Sequence, residues 1–273
     1  MNVSLSRNAP RRDPGTAGAR QQSSWASADY AVGDNALQIV GEELCETLNL
    51  YQDSRVLDVA AGNAHASLAA ARRWCEVTAT DLAPDLASRA RQRAEAMTLG
   101  IRFVEAEAEA LPFADQSFDA VMSTFGAMFA PDQDRAASEM IRVCRRGYRV
   151  GLANWTPEGF VGQWFGLIGS LRGTAPAAFD WGTEERLRDL FGVYGRIDLT
   201  RKRVAFRHRS PTEWVDKVRA SHVPVRKAFA KLDDMQQREL RKALAELVAR
   251  FNRGKDGTMI VDAEYLEVVI VRR

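Results

Sequence analysis

Several features are scarce in this chain of 273 residues, and each absence argues against a class of protein. Cysteine occurs only at Cys45, Cys75 and Cys144, without Cys-x-x-Cys spacing, so neither a disulfide framework nor a zinc site is expected. No apolar run reaches the roughly 18 residues of a membrane span. The net charge of +2 gives no sign of a nucleic-acid partner. We therefore expect a globular cytoplasmic protein with no metal, membrane or nucleic-acid partner.

One stretch, residues 56–81, has the pattern of a nucleoside-binding βαβ unit. An apolar run ends near Asp58, a small-residue loop surrounds Gly62, and a second β-branched run ends in Asp81. The two acids lie 23 positions apart, close to the roughly 20 residues that such a unit gives. The loop presents backbone N–H groups to a ligand, and the second acid accepts from the ribose hydroxyls. The pattern indicates a cofactor-binding enzyme.

The loop after the first strand is also poor in glycine, which narrows the cofactor. A dinucleotide site needs Gly-x-Gly-x-x-Gly so that the pyrophosphate touches the backbone, whereas residues 60–65 read Ala-Ala-Gly-Asn-Ala-His. No Gly-Lys-Ser or Gly-Lys-Thr follows, so the loop is not a P-loop either. A nucleoside with a short polar tail remains, and S-adenosylmethionine has that form.

Apolar periodicity and turn residues predict an α/β fold. Strands are predicted at 55–59, 76–80, 101–104, 118–123 and 148–154, and helices at 64–73, 84–98 and 133–145. This alternation is typical of a parallel, doubly wound sheet. Beyond residue 156, helices are predicted at 157–171, 183–191, 211–220, 222–230 and 233–252, and strands at 196–207 and 259–271. We expect the late strands to pair as an antiparallel edge hairpin, with the 211–252 helices inserted between them for substrate selection.

The motifs of the first half resemble those of class I S-adenosylmethionine-dependent methyltransferases, in the branch with a ubiquinone/menaquinone-methyltransferase-like domain. The resembling segments are 56–63, 77–81, 106–113, 117–124, 139–147 and 151–155. Segments 155–159 and 264–269 are similar to a bacterial group of small-molecule methyltransferases. The resemblance implies a Rossmann-like, mostly parallel seven-stranded sheet, S-adenosylmethionine as cofactor and a small organic acceptor.

The resemblance also divides the chain. Residues 1–22, rich in Arg, Ser, Pro and Gly, are expected to be a disordered leader. Residues 23–273 are expected to form one methyltransferase-like domain. Its parts are lid helices at 23–54, a cofactor-binding core at 55–156, and cap helices with the last two strands at 157–273. We expect a monomer or a homodimer.

A set of residues is expected to contact the cofactor. Asp81 would accept from both ribose hydroxyls, Glu107 would meet the adenine edge, and Ala108 would offer its N–H to a ring nitrogen. Asp58 would orient the loop, although a purely structural role is the alternative. The full expected set is Asp58, Ala60, Gly62, Asp81, Leu82, Glu107, Ala108 and Ser123.

Tyr30 and His65 are the candidate catalytic residues. Tyr30, with Trp25, would belong to a lid over the sulfonium, where cation–π attraction is available; ordinary helix packing is the alternative. His65 lies in the cofactor loop, and a surface or helix-capping role is the alternative. His208 and His222 are more ordinary structural histidines, and no motif identifies a catalytic base.

Two alternatives to methyl transfer remain open at the level of sequence. Ala60 and Ala64 replace glycines usual in the family's first motif, and Tyr148 replaces a glycine after Gly147. Ala64, His65 and Tyr148 motivate an enzyme that cyclises the cofactor and releases methylthioadenosine. A non-catalytic cofactor-binding module is the second alternative.

The segment 201–209 carries alternating basic side chains. Arg201, Arg203, Arg207 and Arg209 share one face of the predicted strand, and Lys202, Val204, Phe206 and His208 share the other. The basic face is either a solvated edge or a site for an anionic acceptor such as a carboxylate.

Overall fold

A computed structural model describes residues 34–170 and 177–273. The predicted leader 1–22 lies outside the described residues, and so do Trp25 and Tyr30. Within the described ranges, no helix combines the length and the apolar content needed to cross a membrane. All three cysteines are buried free thiols.

The architecture is a seven-stranded sheet in the order β3-β2-β1-β4-β5-β7-β6. The strands are β1 (Arg55–Val59), β2 (Glu76–Asp81), β3 (Ile101–Glu105), β4 (Phe118–Thr124), β5 (Cys144–Trp155), β6 (Gly195–His208) and β7 (Met259–Arg272). The first five strands pair in parallel, and β7 is antiparallel to both of its neighbours. The predicted fold class and the late hairpin are thus confirmed.

Nine α-helices connect or flank the described strands. They are α1 (Gln38–Leu48), α2 (His65–Ala71), α3 (Pro84–Ala96), α4 (Gln133–Val143), α5 (Phe160–Ser170), α6 (Glu184–Phe191), α7 (Pro211–Ser221), α8 (Val223–Phe229) and α9 (Asp234–Phe251). Short 3₁₀ turns cover Asp34–Leu37, Ala127–Phe129 and Ala177–Gly182. Helices α7 to α9 lie between β6 and β7 in the chain and form the cap.

Local sequence signals account for the helix starts. Side chains of Asp132, Thr183 and Ser210 accept from backbone N–H groups in the first turns of α4, α6 and α7. Asp233 and Gln236 form a reciprocal capping box at the start of α9. Such caps satisfy N–H groups that have no partner inside the helix, typically contributing about 1 kcal/mol each.

The core lies on both faces of the central strands. Val56, Leu57, Val121 and Met122 are fully buried, as expected for parallel strands covered by helices on each side. Helix α1 closes one face: a Cβ added to Gly151 of β5 would lie 2.8 Å from the Leu48 methyl carbons. The apolar runs in the sequence therefore became the buried centre of the sheet.

The junction between α4 and β5 differs from the prediction. The helix was expected to reach residue 145 and the strand to begin at 148, but the strand begins at Cys144. The pairing with β4 shifts register between Phe118 and Ala120. Gly147, with φ +79°, lies in this irregular segment. Glycine adopts that conformation without the strain a side chain would add.

Gly41 provides a test of the packing between α1 and α2. A Cβ added there would lie 2.9 Å from the Ala66 backbone, too close for an unshifted fold. Gly41→Ala is expected to lower the free energy of unfolding by about 1 to 3 kcal/mol, because overpacking outweighs helix propensity. Urea unfolding followed by circular dichroism measures the change.

Gly166→Ala is the matched control, since this glycine is exposed inside α5 and an added Cβ would meet nothing within 4 Å. It should leave stability unchanged or raise it by up to about 1 kcal/mol. Equal effects of the two substitutions would contradict the packing described for Gly41.

Candidate functional site

A cavity of about 300 Å³ lies at the carboxyl ends of β1, β2 and β4, and the cap covers one side of it. The loop after β1 and the residues after β2 line one end, and aromatic residues of α5, β6 and α7 line the other. Ligands of open α/β sheets bind at this edge, where the connections to neighbouring strands diverge. The cavity is therefore the candidate site, and its two ends differ in chemistry.

The loop after β1 has an unusual backbone. Ala60, Gly62 and Ala64 all have positive φ, between 54° and 60°. Glycine is usual at such positions because an L side chain there costs on the order of 1 kcal/mol. Ala60 and Gly62 line the cavity, whereas Ala64 is buried and its side chain is not part of the lining. The alanines thus keep the glycine-type loop shape.

Asp81 connects the loop to the end of β2. Its Oδ2 accepts from the Gly62 N–H at 2.8 Å, and its Oδ1 accepts from the Ala83 N–H at 2.8 Å. Burial raises the pKa of this carboxyl, and the backbone donors oppose the rise. Each carboxylate oxygen has two acceptor positions, so both retain capacity for a ligand hydroxyl. Asp81 and its neighbour Leu82 line the cavity.

Asp58 lies beneath the loop and does not line the cavity. Ser67 Oγ donates to its Oδ2 at 2.6 Å, and its Oδ1 is buried and accepts no hydrogen bond from the described residues. Burial raises the pKa of Asp58 to about 7, and the charge of Asp81 adds to the rise. A buried acid with an unused oxygen favours a nearby cation, so this end of the site fits a positively charged ligand.

The segment after β3 forms the adenine-facing side of the predicted site. Ala106, Ala108 and Glu109 line the cavity. Glu107 is half-buried, its backbone forms a β-bridge with Ala110, and it is not among the residues that line the cavity. The structure thus places Ala108 in the cavity lining and Glu107 next to it in the chain but outside the lining.

Ser123 was expected to contact the cofactor, but its hydroxyl is engaged below the cavity. It donates to the Val59 carbonyl oxygen at 2.7 Å and accepts from the Ala127 N–H at 3.0 Å. Thr124 and Phe125 line the cavity instead. Ser123 joins the end of β4 to β1, which positions the loop rather than the ligand.

Phe125 and Gly126 shape the middle of the cavity. Phe125 has φ +60° and stacks on Trp155 with ring centroids 3.8 Å apart. A Cβ added to Gly126 would overlap the Ala60 carbonyl oxygen, so only glycine fits against the β1 loop there. A strained non-glycine residue beside a ligand cavity is frequently functional.

His65, one of the two catalytic candidates, does not line the cavity. His65 is buried and its Nδ1 lies 3.2 Å from Arg93 Nη2, while Arg93 also donates to the Asn63 carbonyl oxygen at 2.6 Å. This contact with α3 keeps the His65 imidazole out of the cavity lining. Tyr30 lies outside the described residues.

The cap contributes residues that sequence reasoning did not assign to the site. Phe206 and His208 of β6 line the cavity with Trp164 and Phe165 of α5 and with Trp214, Lys217, Ser221 and His222 of the cap. The alternation along 201–209 did predict that Phe206 and His208 share a face. The missing information was which face meets the cavity, because that depends on how the hairpin crosses the sheet.

Comparisons with known proteins agree with this geometry. A family model described as a methyltransferase domain matches residues 56–147. Uncharacterized protein Rv1405c of Mycobacterium tuberculosis is 35% identical over 274 residues, which cover 97% of this chain and 98% of that protein. Uncharacterized protein Rv1403c of the same organism is 46% identical over 172 residues, 61% of this chain and 63% of that protein.

Two further comparisons concern the activity and the fold. Demethylmenaquinone methyltransferase of Thermus thermophilus is 40% identical over 105 residues, 38% of this chain and 48% of that enzyme. The YcgJ protein of Bacillus subtilis superposes with a TM-score of 0.61 at 18% identity, covering 87% of this chain and 98% of that one. The chain therefore belongs to the class I S-adenosylmethionine-dependent methyltransferases.

Proposed function

We propose that the protein transfers the methyl group of S-adenosylmethionine to a small organic molecule. In this proposal the cofactor lies along the β1, β2 and β3 ends of the cavity, and the acceptor lies beneath the cap. The observation that carries the proposal is the Asp81 carboxylate, which backbone N–H groups hold at the cavity wall. Its remaining acceptor positions suit two adjacent ribose hydroxyls.

The remaining cofactor contacts follow from the lining. Gly62 and Ala60 let the methionine part approach the backbone, and Leu82 packs beside the ribose. Ala108 offers a backbone N–H to the adenine ring, with Glu107 at its edge. Asp58, buried below the loop, provides negative charge for a cationic cofactor. Among the described residues lining the cavity, the acids are Asp81 and Glu109, and both lie at this end.

The cofactor supplies an activated methyl group. The protein then gains most by holding the acceptor atom about 3 to 3.5 Å from the methyl group in line and by excluding water. The stacked pair Phe125 and Trp155 forms an apolar wall between the β1 loop and the cap, which suits both requirements. Phe125 and Trp155 are thus positioning residues for the acceptor.

Methyl transfer fits the site better than cyclisation of the cofactor. None of the three residues that motivated cyclisation, Ala64, His65 and Tyr148, lines the cavity. His65 contacts Arg93, and Tyr148 lies in the first half of β5 and hydrogen-bonds Tyr51. The large apolar space beyond the cofactor end also has no use in an intramolecular reaction. In the proposal, this apolar space beneath the cap holds the second substrate.

The products formed from S-adenosylmethionine distinguish these reactions. We expect the pure protein, given an extract of small metabolites, to form S-adenosylhomocysteine and a product heavier by one methylene unit, both followed by mass spectrometry. Methylthioadenosine formed without an extract would contradict the proposal. Binding without turnover across extracts of broad composition would favour the non-catalytic module.

Asp81→Asn tests the cofactor contact. The amide keeps the shape of the side chain but loses the charge and one acceptor, so the Kd for S-adenosylhomocysteine should rise at least tenfold, about 1.4 kcal/mol. Isothermal titration calorimetry measures the change. Asp198→Asn, at the exposed edge strand, is the control and should bind as the wild type does. Unchanged affinity in the Asp81 variant would remove the central assignment.

Asp58 predicts a pH dependence of cofactor binding. Because its pKa is raised to about 7, ionisation of the group between pH 6 and 8 adds negative charge beside a cationic ligand. The Kd for S-adenosylmethionine, whose sulfonium carries the positive charge, should therefore fall by up to about tenfold over that range. Folding stability has the opposite sign: the contribution of protonated Asp58 is lost as the pH rises through the folded-state pKa.

Asp58→Asn is the matched variant for this experiment. It should flatten the dependence of the Kd on pH and leave binding measurable at both values. A pH dependence equal to that of the wild type would assign the effect to another group.

A further inference from the structure

The part of the cavity beneath the cap is an elongated aromatic chamber. One wall follows Phe125, Trp155 and Phe206, whose successive ring centroids are 3.8 and 5.9 Å apart. His208 lies two residues beyond Phe206 on the same face of β6 and also lines the cavity. Trp155 and Lys202 both pair with Tyr265, and His208 lies six positions beyond Lys202 on β6, so its backbone lies on the order of 20 Å along the strand from the level of Trp155.

The facing wall is aromatic as well. Phe129 contacts Phe165 at 5.8 Å between ring centroids, and Phe165, Trp164 and His222 form a cluster with mutual centroid distances of 4.7 to 5.4 Å. Trp164 in turn contacts Trp214 at 5.3 Å. Aromatic rings of the sheet edge and of the helices thus line the same cavity, which favours a flat molecule because offset stacking and edge contacts both add to its apolar burial.

The far end of the chamber differs in charge from the cofactor end. Lys217 is the only cationic side chain among the described residues that line the cavity. It lies 3.4 Å from Glu213, whose other oxygen accepts from the Arg209 N–H at 2.8 Å. An adjoining depression shares Lys217 and His208 and is lined by Arg207, Arg209, Glu213 and Asp256. Cations thus outnumber acids around this end.

The two histidines near Lys217 do not add positive charge at neutral pH. Burial lowers the pKa of His222 to about 4. Burial and the Lys217 charge both lower the pKa of His208. The imidazoles are therefore uncharged hydrogen-bonding groups beside a single ammonium group.

The basic segment 201–209 adds Arg207 and Arg209 to the adjoining depression but contributes no cation to the cavity lining itself. Arg201 pairs with Glu264 at 2.7 Å, and Arg203 approaches the same carboxylate at 3.6 Å. None of the four arginines on that face lines the cavity, whereas Phe206 and His208 on the opposite face do. An anionic acceptor in the cavity would therefore contact Lys217 rather than the arginines of segment 201–209.

The distance of Lys217 from the methylated atom decides whether it can accept a proton in the reaction. A proton acceptor must lie within about 3 Å of the reacting atom or reach it through one water. Lys217 lies near His208, whose backbone is on the order of 20 Å along β6 from the level of Trp155, the ring on which Phe125 stacks. Lys217 therefore binds a remote part of the acceptor and takes no part in the proton transfer.

Resting on the proposed function, we infer that the acceptor is a flat, elongated, mostly apolar molecule with an anionic group at the end far from the methylated atom. The rings of the chamber hold its flat body, and Lys217 binds its anionic group. Substrate selection then depends on the distance between these two features. Neutral molecules of the same shape bind more weakly, and short anions do not span the chamber.

A matched pair of fluorescent probes tests this inference on the protein loaded with S-adenosylhomocysteine. 8-Anilinonaphthalene-1-sulfonate is flat and anionic, and N-phenyl-1-naphthylamine has the same rings without the sulfonate. Lys217→Met should raise the Kd of the anionic probe at least fivefold and change that of the neutral probe by less than twofold. Lys217→Arg should restore binding of the anionic probe, and Phe206→Ala should weaken both probes.

Lys242→Met is the control for loss of a positive charge, because this lysine of α9 is 78% exposed and pairs with Glu246 on the same helix. It should leave both Kd values unchanged. Equal effects of Lys217→Met on the two probes, or no effect on either, would overturn the inference.

The inference and the proposed function fail separately. If calorimetry shows that S-adenosylhomocysteine does not bind, the proposed function fails, and the probe comparison on the unloaded protein still tests the chamber. If S-adenosylhomocysteine binds but neither probe binds the loaded protein, only the inference about the acceptor is overturned.

Discussion

The Asp81 carboxylate accepts hydrogen bonds from backbone N–H groups of two segments, the β1 loop at Gly62 and the turn after β2 at Ala83. The shape of the cofactor end depends on this arrangement. It sets the distance between the two loops, and it places a charged acceptor at the cavity wall. Gly126 packs against Ala60 from the β4 side, where no larger residue fits. Ser123, whose hydroxyl is hydrogen-bonded to Val59 and Ala127, holds the end of β4 in register with β1.

Much of this arrangement was predictable because it is local. The spacing of Asp58 and Asp81 follows from one βαβ unit, and the bounds of β1 were predicted to the residue. It was harder to predict which side chain at the end of β4 faces the ligand. Ser123 and Thr124 both end β4, yet the Ser123 hydroxyl is hydrogen-bonded beneath the cavity whereas Thr124 lines it. A sequence gives the alternation but not its phase relative to the ligand.

The helices and strands of the cap could be predicted from the sequence, but the residues that they bring to the cavity could not. Helices and hairpin strands were located closely, since their apolar periods and capping residues are strong. Phe206, Lys217 and Trp164 converge only because β6 and β7 cross the sheet edge and carry α7 over it. Ala64 and His65 show the opposite case: they are adjacent to the cofactor loop in sequence, yet a positive φ and the contact with Arg93 turn both side chains away. Proximity along the chain overstated their importance.

The cavity therefore has a polarity that follows from its parts: buried acids at one end, aromatic rings along its length and one ammonium group at the other. That polarity suits a cationic methyl donor and an acceptor with a distant negative charge. The most direct test is a crystal structure with S-adenosylhomocysteine bound. The account predicts both ribose hydroxyls within about 2.5 to 3.0 Å of the Asp81 carboxylate, with the sulfur facing Phe125 and the aromatic chamber. A ligand bound away from Asp81, or with its sulfur directed away from the chamber, would contradict it.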